Sequence, residues 1–173
     1  MKVIILSGIP GAGKSTFTKT LSRQIVVSAD HFFLNNKGEY NFDFRKLSEA
    51  HGSCLKQFTN LIVSGELDDF DYLVVDNTNT SVLEIAPYVA LANAYGLECE
   101  LVTIECNPEI AANRNVHGVP LDACKRMANN MKARTLPPFW TVKQTVIVNW
   151  LRLKARTLPP FWTVKQTVIK VSL

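Results

Sequence analysis

The sequence predicts an α/β fold, a three-layer sandwich in which helices cover both faces of a mostly parallel central sheet. Apolar segments of strand length alternate with helix-like segments along most of the chain, which is typical of parallel strands joined by helical crossovers. The first apolar segment, VIILS, runs directly into the glycine-rich stretch GIPGAGKST and then into a helix-like segment. In sheets of this class, ligands bind beyond the carboxyl ends of the strands, so candidate functional residues are sought there.

The predicted elements alternate in a regular order. Four strands are predicted over KVIILS, QIVVSAD, DYLVVDNTNT and ECELVTIEC. A first helix is predicted over residues 14–23, and a long one over DFRKLSEAHGSCLKQFTNLIVSG, with Asp43 as its N-cap and Gly65 as its stop. Asp and Gly are favoured at those two positions because Asp accepts the first free N–H groups and Gly adopts a left-handed conformation. Further helices are predicted over SVLEIAPYVALANAYG, PEIAANRN and LDACKRMANNMKAR.

A repeat occupies the end of the chain. The segment KARTLPPFWTVKQTVI occurs twice without a difference, at residues 132–147 and 154–169. Two copies are too few for a solenoid, and only one copy can fill a given place in a fold. We expect the first TVKQTVIV to form a strand, because Thr and Val favour pleated, half-buried surfaces. The second copy is expected to lie along an edge or to stay loosely ordered.

The basic residues are concentrated towards the same end. No acidic residue follows Asp122, whereas ten of the 19 basic residues do. Such an asymmetry is compatible with a polyanionic partner. The second copy of the repeat supplies three of those ten residues, so the basic tail is weak support for nucleic-acid binding.

Residues 8–15 match the motif G-x-x-x-x-G-K-[ST], the phosphate-binding P-loop, between a predicted strand and a predicted helix. Glycines allow the backbone N–H groups to turn inwards around phosphate oxygens. The lysine can reach the β- and γ-phosphates, and the following hydroxyl can bind Mg²⁺. The motif predicts a P-loop NTPase- or kinase-like domain that binds ATP with Mg²⁺ through Gly8, Gly11, Ala12, Gly13, Lys14, Ser15 and Thr16.

Aspartates end two of the predicted strands. Asp30 follows the second strand and Asp76 ends the third. Both carboxylates should lie beside the glycine loop if their strands neighbour the first one. A carboxylate there can accept the proton of an attacking hydroxyl or hold Mg²⁺ directly or through water. A helix cap or turn residue is the alternative for each, since Asp is common where strands end.

Phosphoryl transfer also requires positive charge over the transferred group. Arg114 precedes the short VHGVP break between two helices, a position that suits a lid closing over a nucleotide. Arg126 on the following helix is a second candidate. His117 could contact phosphate or acceptor, although a single His in a Gly-containing turn is more often structural.

Four segments together resemble one family: GIPGAGKST, SADHFF…GEYNFD, DNTNT and RNVHGV. They are similar to the polynucleotide-kinase-like P-loop proteins, which include the 5′-hydroxyl polynucleotide kinases of phages, in an AAA-type branch with the SAD and DNTN motifs. The resemblance implies that Lys14 and Ser15 bind ATP and Mg²⁺, that Asp30 is the general base and that Arg114 is the lid arginine. It also implies that Asp76, together with Asn77 and Asn79, faces the metal or the acceptor.

One departure from the phage pattern concerns the acceptor. The residues after Asp30 are His-Phe-Phe, where the phage enzymes carry an arginine that binds a phosphate of the nucleic acid. The leading hypothesis is transfer of the ATP γ-phosphate to the 5′-hydroxyl of a DNA or RNA end. A small-molecule kinase for a nucleoside, sugar or antibiotic hydroxyl, and a nucleotide-binding module without turnover, remain open.

The aromatic residues that follow Asp30 could stack on bases or pack the loop onto the helix: Phe32, Phe33, Tyr40, Phe42 and Phe44.

Composition and boundaries complete the predictions. The 173 residues are 47% hydrophobic and 20% charged, which is ordinary for one globular domain. We predict a kinase-domain core over residues 1–138 with a helical lid near 108–134, a last strand over 139–150 and a duplicated tail over 151–173.

No apolar run approaches the roughly 20 residues that span a bilayer, so no membrane partner is expected. The four cysteines lack C-x-x-C or metal-like spacing, which favours free thiols in the cytoplasm, the host's if the protein is phage-encoded. The oligomeric state is left open.

Overall fold

A six-stranded sheet forms the middle layer of the computed structural model, which describes residues 1–65, 67, 69–149 and 163–167. The strands are β1 (Lys2–Ser7), β2 (Gln24–Val27), β3 (Tyr72–Asp76), β4 (Glu98–Cys106), β5 (Lys143–Asn149) and β6 (Thr163–Thr167). Their order across the sheet is β2-β3-β1-β4-β5-β6. The first five pair in parallel, and β6 pairs antiparallel with β5. The predicted α/β class with a mostly parallel sheet is confirmed.

Helices connect the parallel strands and cover the sheet. They are α1 (Lys14–Thr18), α2 (Leu47–Ser64), α3 (Val82–Ala94), α4 (Pro108–Arg114) and α5 (Leu121–Ala133), with 3₁₀ turns at Ala29–Phe33 and Phe44–Lys46. Within the part of the chain that is described, none of these helices combines the length and the apolar character needed to cross a bilayer.

Alternate residues of the strands pack on opposite faces of the sheet. Val3 and Ile5 of β1 point into a core that contains residues of α2 and α3. Ile4 and Leu6 point into a second core that contains Ala111 of α4 and residues of α5. Burial of one such side chain is worth about 1.5–3 kcal/mol. Because both faces are buried, the strand sequences read as continuous apolar runs, which is why they could be identified from the sequence.

Two predicted elements end earlier than expected. Helix α1 ends at Thr18 instead of continuing to residue 23, and Arg23 adopts a positive φ of 50°. The segment STFTKTLS is poor in strong helix formers, and the Thr20 hydroxyl bonds the Phe17 carbonyl oxygen at 2.6 Å. Strand β2 ends at Val27 because the Ser28 side chain accepts the Asp30 N–H and starts a 3₁₀ turn.

The predicted stop of the long helix agrees with the structure, whereas its predicted start does not, because Asp43 caps the 3₁₀ turn Phe44–Lys46 and α2 begins only at Leu47. The Asp43 side chain accepts the N–H of Arg45, and Gly65 ends the helix in the left-handed conformation with φ 70°. Helix α3 begins with a capping box, in which the Ser81 hydroxyl accepts the Glu84 N–H and the Glu84 carboxylate accepts the Ser81 N–H. The S-x-x-E spacing of Ser81 and Glu84 is a recognised signal for the start of a helix.

The two copies of the repeat take different places in the sheet. The first supplies β5, which lies parallel to β4. Residues 163–167 of the second copy form β6 on the outer side of β5. The remainder of the predicted tail, residues 150–162 and 168–173, lies outside the described residues.

Three strands are also joined by charge at the amino-terminal edge of the sheet. The carboxylate of Glu100 on β4 contacts Lys2 of β1 and Lys143 of β5, and it accepts the hydroxyl of Thr145. Glu100 is buried. Burial alone would raise the pKa of the Glu100 carboxyl, but the bonds from Lys2 and Thr145 and the two lysine charges outweigh it, so its pKa is lowered from the ordinary value of 4.5.

Replacing this carboxylate should destabilise the protein in a pH-dependent way. We expect Glu100→Gln to lower the free energy of unfolding by about 1–3 kcal/mol at pH 7, because Lys2 and Lys143 lose a partly buried anion. A lowered folded-state pKa stabilises the fold above the unfolded pKa, and that contribution is lost as the pH falls through the folded value. Urea unfolding of both proteins at pH 7 and in the acid range should therefore show the difference shrinking in acid.

Glu98→Gln is the matched control, because Glu98 contacts the same Lys2 amino group at 3.2 Å but its side chain is 65% exposed. Its effect should stay below about 1 kcal/mol, as for other exposed pairs. Equal effects of the two substitutions, or a Glu100→Gln effect that does not change with pH, would contradict this interpretation.

Candidate active site

Parallel pairing brings the predicted functional segments to one edge of the sheet. Leu6 of β1 pairs with Asp76 of β3, and Val27 of β2 pairs with Val75. The glycine loop follows β1, and Asp30 lies in the 3₁₀ turn that follows β2. Strand β3 therefore lies between the strands that carry the loop and Asp30, and all three chain segments leave the sheet at its carboxyl edge.

The glycine loop depends on close backbone approaches. Gly11 and Gly13 have φ values of 79° and 106°, in the region that favours glycine. A Cβ atom on Gly11 would lie 2.1 Å from the carbonyl oxygen of Ala111 in α4. A Cβ atom on Gly8 would lie 3.1 Å from the carbonyl oxygen of Ile104 in β4. The loop is thus packed against both the sheet and α4 through main-chain atoms.

The other loop residues divide into buried and exposed ones. Ala12 is fully buried, whereas Ser15 and Thr16 are exposed at the start of α1. The Nζ atom of Lys14 donates to the carbonyl oxygens of Gly8 at 3.0 Å and Ile9 at 3.4 Å, so the lysine side chain folds over the loop.

Lys14 is electrostatically coupled to both predicted aspartates. Burial lowers the pKa of the Lys14 amino group, and the charges of Asp76 and Asp30 oppose that shift. Burial raises the pKa of the Asp76 carboxyl, which the Lys14 charge opposes and the Asp30 charge reinforces. These shifts agree with the parallel pairing that brings Lys14, Asp30 and Asp76 to one edge of the sheet.

The Asp30 carboxylate is held from two sides. The Tyr40 hydroxyl donates to Oδ1 of Asp30 at 3.1 Å, and Nε2 of His117 lies 3.8 Å from Oδ2. The rings of Tyr40 and His117 are 4.8 Å apart between centroids. Burial of Tyr40, together with the Asp30 charge, raises the pKa of its phenol to about 12, which keeps the hydroxyl protonated as a donor. The Asp30 side chain is 55% exposed, so it is accessible to a ligand.

Asn77 and Asn79 face the protein interior, and this departs from the expectation that they face metal or acceptor. They are only 6% and 1% exposed. Oδ1 of Asn77 accepts the Ala29 N–H at 2.8 Å, and Nδ2 of Asn79 donates to the Leu6 carbonyl oxygen at 2.7 Å. These bonds hold the ends of the strands together, whereas the buried Oδ1 of Asn79 has no hydrogen-bond partner among the described residues.

The predicted lid residues lie on α4, α5 and the turn between them. Arg114 ends α4, one turn after the Ala111 carbonyl that contacts the glycine loop, and it is exposed. Arg126 is exposed on α5, where no contact with the loop is described. The turn that carries His117 is fixed by Asn115, whose amide donates to the carbonyl oxygen of Ala112 at 2.7 Å and accepts the Val119 N–H at 2.7 Å.

The sequence reasoning missed Asn115 and Arg134, and it treated Tyr40 only as a ring that stacks or packs, not as a hydrogen-bond donor to Asp30. The guanidinium of Arg134 donates to the Ser7 hydroxyl at 2.8 Å, the Asn79 carbonyl oxygen at 2.8 Å and the Thr103 hydroxyl at 3.0 Å. Burial lowers the pKa of Arg134. Arg134 lies in the first copy of the repeat, and no motif marked it. The GEYNFD and RNVHGV segments had been singled out, but their order in the sequence does not show which side chain meets Asp30.

The donors at this edge fit a magnesium ion. The Ser15 hydroxyl lies 3.4 Å from Oδ2 of Asp76, so an alcohol and a carboxylate oxygen meet beside the glycine loop. Hydroxyl and carboxylate oxygens are ligands that Mg²⁺ prefers, and it usually takes its remaining ligands from water and substrate phosphates. Among the described residues there is no cluster of three or more His, Cys, Asp or Glu side chains that would form an all-protein metal cage.

Comparison with known proteins gives a family match over most of the chain. The model of the family described as AAA domain matches residues 3–137. NEDD4-binding protein 2 of Homo sapiens is 31% identical over 133 residues, which cover 72% of this chain and 7% of that protein. YLP motif-containing protein 1 of Rattus norvegicus is 22% identical over 157 residues, which cover 76% of this chain and 11% of that protein. The chain therefore corresponds to a small part of these curated relatives.

Solved structures show the same fold. A chain in the Pnkp1/Rnl/Hen1 RNA repair complex superimposes with a TM-score of 0.59 at 18% identity, covering 76% of this chain and 44% of that one. A second structure of the Pnkp1/Rnl/Hen1 complex gives a TM-score of 0.50 at 22% identity, covering 65% of this chain and 38% of that one.

The contact between the glycine loop and α4 is tested by comparing two glycines. Gly11→Ala should lower stability and abolish ATP binding, because a methyl group at position 11 meets the Ala111 carbonyl oxygen. Gly38→Ala is the control, since Gly38 has almost the same φ of 78° but has nothing within 4 Å of the added Cβ. The control should cost only the backbone strain of about 1–2 kcal/mol. Thermal unfolding and nucleotide titration measure both effects, and equal losses in the two variants would contradict the close approach.

Proposed function

The chain belongs to the AAA domain family as a P-loop kinase-like domain, and from this we propose that it is an ATP-dependent kinase that phosphorylates the 5′-hydroxyl of a DNA or RNA end. One observation carries the proposal: an accessible Asp30 carboxylate, oriented by Tyr40, lies at the sheet edge from which the glycine loop leaves β1. A nucleotide-binding module needs no accessible carboxylate at that point. A kinase does, because an alcohol must lose its proton as it attacks phosphorus.

The proposed reaction assigns each group one step. The Asp30 carboxylate accepts the proton of the acceptor hydroxyl as the hydroxyl oxygen forms a bond to the γ-phosphorus of ATP. The bond from that phosphorus to the oxygen bridging the β- and γ-phosphates breaks, and ADP leaves with the bonding electrons. Residues 8–16 hold the phosphates through backbone N–H groups, and Lys14 neutralises charge on the β- and γ-phosphates. Tyr40 holds the base in position.

Positive charge from outside the loop completes the proposed site. Ser15 and Asp76 would hold Mg²⁺, which when bound neutralises charge on the phosphate oxygens. We assign Arg114 to the transferred phosphoryl group, and its position one helical turn from the contact between α4 and the glycine loop supports this assignment. Arg126 and His117 are assigned no step.

The nature of the acceptor has two candidates. The segments SADHFF, GEYNFD, DNTNT and RNVHGV support a nucleic-acid 5′ end, because they resemble polynucleotide-kinase-like proteins. A likeness in fold to a chain of an RNA repair complex agrees with this. A small-molecule hydroxyl is the second candidate, favoured by one observation: His31, Phe32 and Phe33 follow Asp30, and none of them replaces the phosphate-binding arginine of the phage enzymes.

The first prediction for this site concerns the proposed base. Asp30→Asn should reduce phosphate transfer from γ-labelled ATP to a 5′-hydroxyl oligonucleotide by about 10²–10⁴-fold, because the amide cannot accept the proton. The affinity for ATP should change little. Transfer is measured by labelled product, and ATP binding by titration without acceptor.

Asp71→Asn is the control, since Asp71 directly precedes β3 at the opposite edge of the sheet and its exposed side chain forms an ion pair with Arg23 at 3.8 Å. It should transfer at the wild-type rate. Wild-type transfer to a sugar or nucleoside but to no oligonucleotide would reject the nucleic-acid acceptor. Full activity of Asp30→Asn would reject Asp30 as the base.

The two candidate arginines are separated by a paired substitution. Arg114→Ala should lower the transfer rate by about 10³-fold at saturating ATP, the effect expected of an arginine that stabilises the transferring phosphoryl group. Arg126→Ala should leave the rate within about twofold of wild type if it only adds positive surface charge. Single-turnover transfer measures both. The opposite ranking would move the lid role from α4 to α5.

A further inference from the structure

We propose that a groove beside Asp30 is a stacking site for an unpaired base at the acceptor's 5′ end, an inference that rests on the proposed function and makes it more specific. The groove has a volume of about 750 Å³ and lies between the turn after β2 and the start of α2. Its walls include Phe32, Phe42, Phe44, Asn41, Arg45 and Lys46. This volume is in the usual range for small-ligand sites and can contain one or two nucleotides.

The exposure of the aromatic rings is the first observation. Phe44 is 75% exposed and Phe42 is 52% exposed, whereas Phe33, whose ring contacts that of Phe42, is 5% exposed. Phe33 therefore fixes the loop, and the other two rings remain available. Tyr40 and Phe42 lie parallel to within 8°, with centroids 6.4 Å apart. Rings presented in this way offer flat faces to which a base of any identity can bind.

The charge on the rim is the second observation. Lys46 is exposed, and Arg45 remains 76% exposed although it is bonded to the Asp43 carboxylate at 2.9 Å. Aromatic faces next to exposed cations are the combination that binds single strands, since bases stack while the backbone phosphates meet positive charge.

The third observation is a series of contacts that links the groove to the Asp30 carboxylate through Tyr40. Tyr40 donates to Asp30 and also makes ring contacts with Phe33 and Phe42, with centroids 6.0 and 6.4 Å apart. Phe32, a wall of the groove, is two residues from Asp30. A terminal nucleotide whose 5′-hydroxyl reaches Asp30 therefore has its base, or the next one, within reach of Phe42, and Phe44 lines the same groove. A base inside a duplex is stacked on its neighbours, so the groove selects unpaired ends.

The test uses two single-stranded 5′-hydroxyl oligonucleotides of the same sequence, one of them lacking the bases of its first two nucleotides. With wild-type protein and saturating ATP, we expect KM for the intact strand to be about tenfold lower than for the abasic one, since stacking on one ring gives about 5- to 150-fold. Phe44→Ala should raise KM for the intact strand about tenfold and leave KM for the abasic strand and for ATP unchanged.

Two variants serve as controls. Phe139→Ala removes a phenylalanine that is 78% exposed outside the groove, and it should have no effect on either KM. Phe44→Tyr keeps a flat ring and should restore the preference for the intact strand, which a merely structural role of Phe44 would not explain. Equal KM values for the two strands in wild-type protein, or equal effects of Phe44→Ala and Phe139→Ala, would overturn the stacking site alone. Transfer to neither strand would overturn this inference together with the proposed nucleic-acid acceptor.

Discussion

The position of Asp30 depends on two hydrogen bonds that join the ends of neighbouring strands. The Ser28 hydroxyl donates to the Asp76 carbonyl oxygen at 2.7 Å, and the Ala29 N–H donates to Oδ1 of Asn77 at 2.8 Å. Both bonds are at least partly buried, so water does not compete effectively for these groups. They stop β2 and turn the chain into a 3₁₀ turn, which brings Asp30 to the edge where the glycine loop lies. Without this turn, the carboxylate would have no fixed relation to Lys14.

The balance of charge at that edge determines how many further cations a bound triphosphate would need. Lys14 alone does not offset the charges of Asp30 and Asp76, and the Arg134 guanidinium, bonded to Ser7 at the end of β1, is a further cation at this edge. The lysine is partly buried, and its charge is favoured by the two carboxylates. A triphosphate would add further negative charge there, which is why the proposal includes a metal ion at Ser15 and Asp76 and an arginine from α4.

Sequence reasoning predicted the fold because the strands are buried on both faces and are separated by helices. It placed Asp30 and Asp76 together because parallel strands end at one edge, and pairing of β1 with β3 and of β3 with β2 satisfies that condition. It could not identify Arg134 or Tyr40, since their contacts cross 127 and 10 positions and are set by packing. It also assigned Asn77 and Asn79 to the ligand side, whereas both side chains are buried after β3, where they bond the main chain at Ala29 and Leu6. The short length of α1 reflects local hydroxyl groups that compete for backbone carbonyls.

The approach of Gly11 to α4 has a consequence for how the chain can diverge. One partner is a main-chain carbonyl, which every amino acid at position 111 would present, so the identity of residue 111 is constrained only by its burial. The other side of the contact requires a residue without a side chain at position 11, and only glycine meets this requirement. Position 111 can therefore accept several small residues, whereas position 11 accepts only glycine. Substitutions in α4 can change the surface beside the glycine loop while the contact with Gly11 is kept.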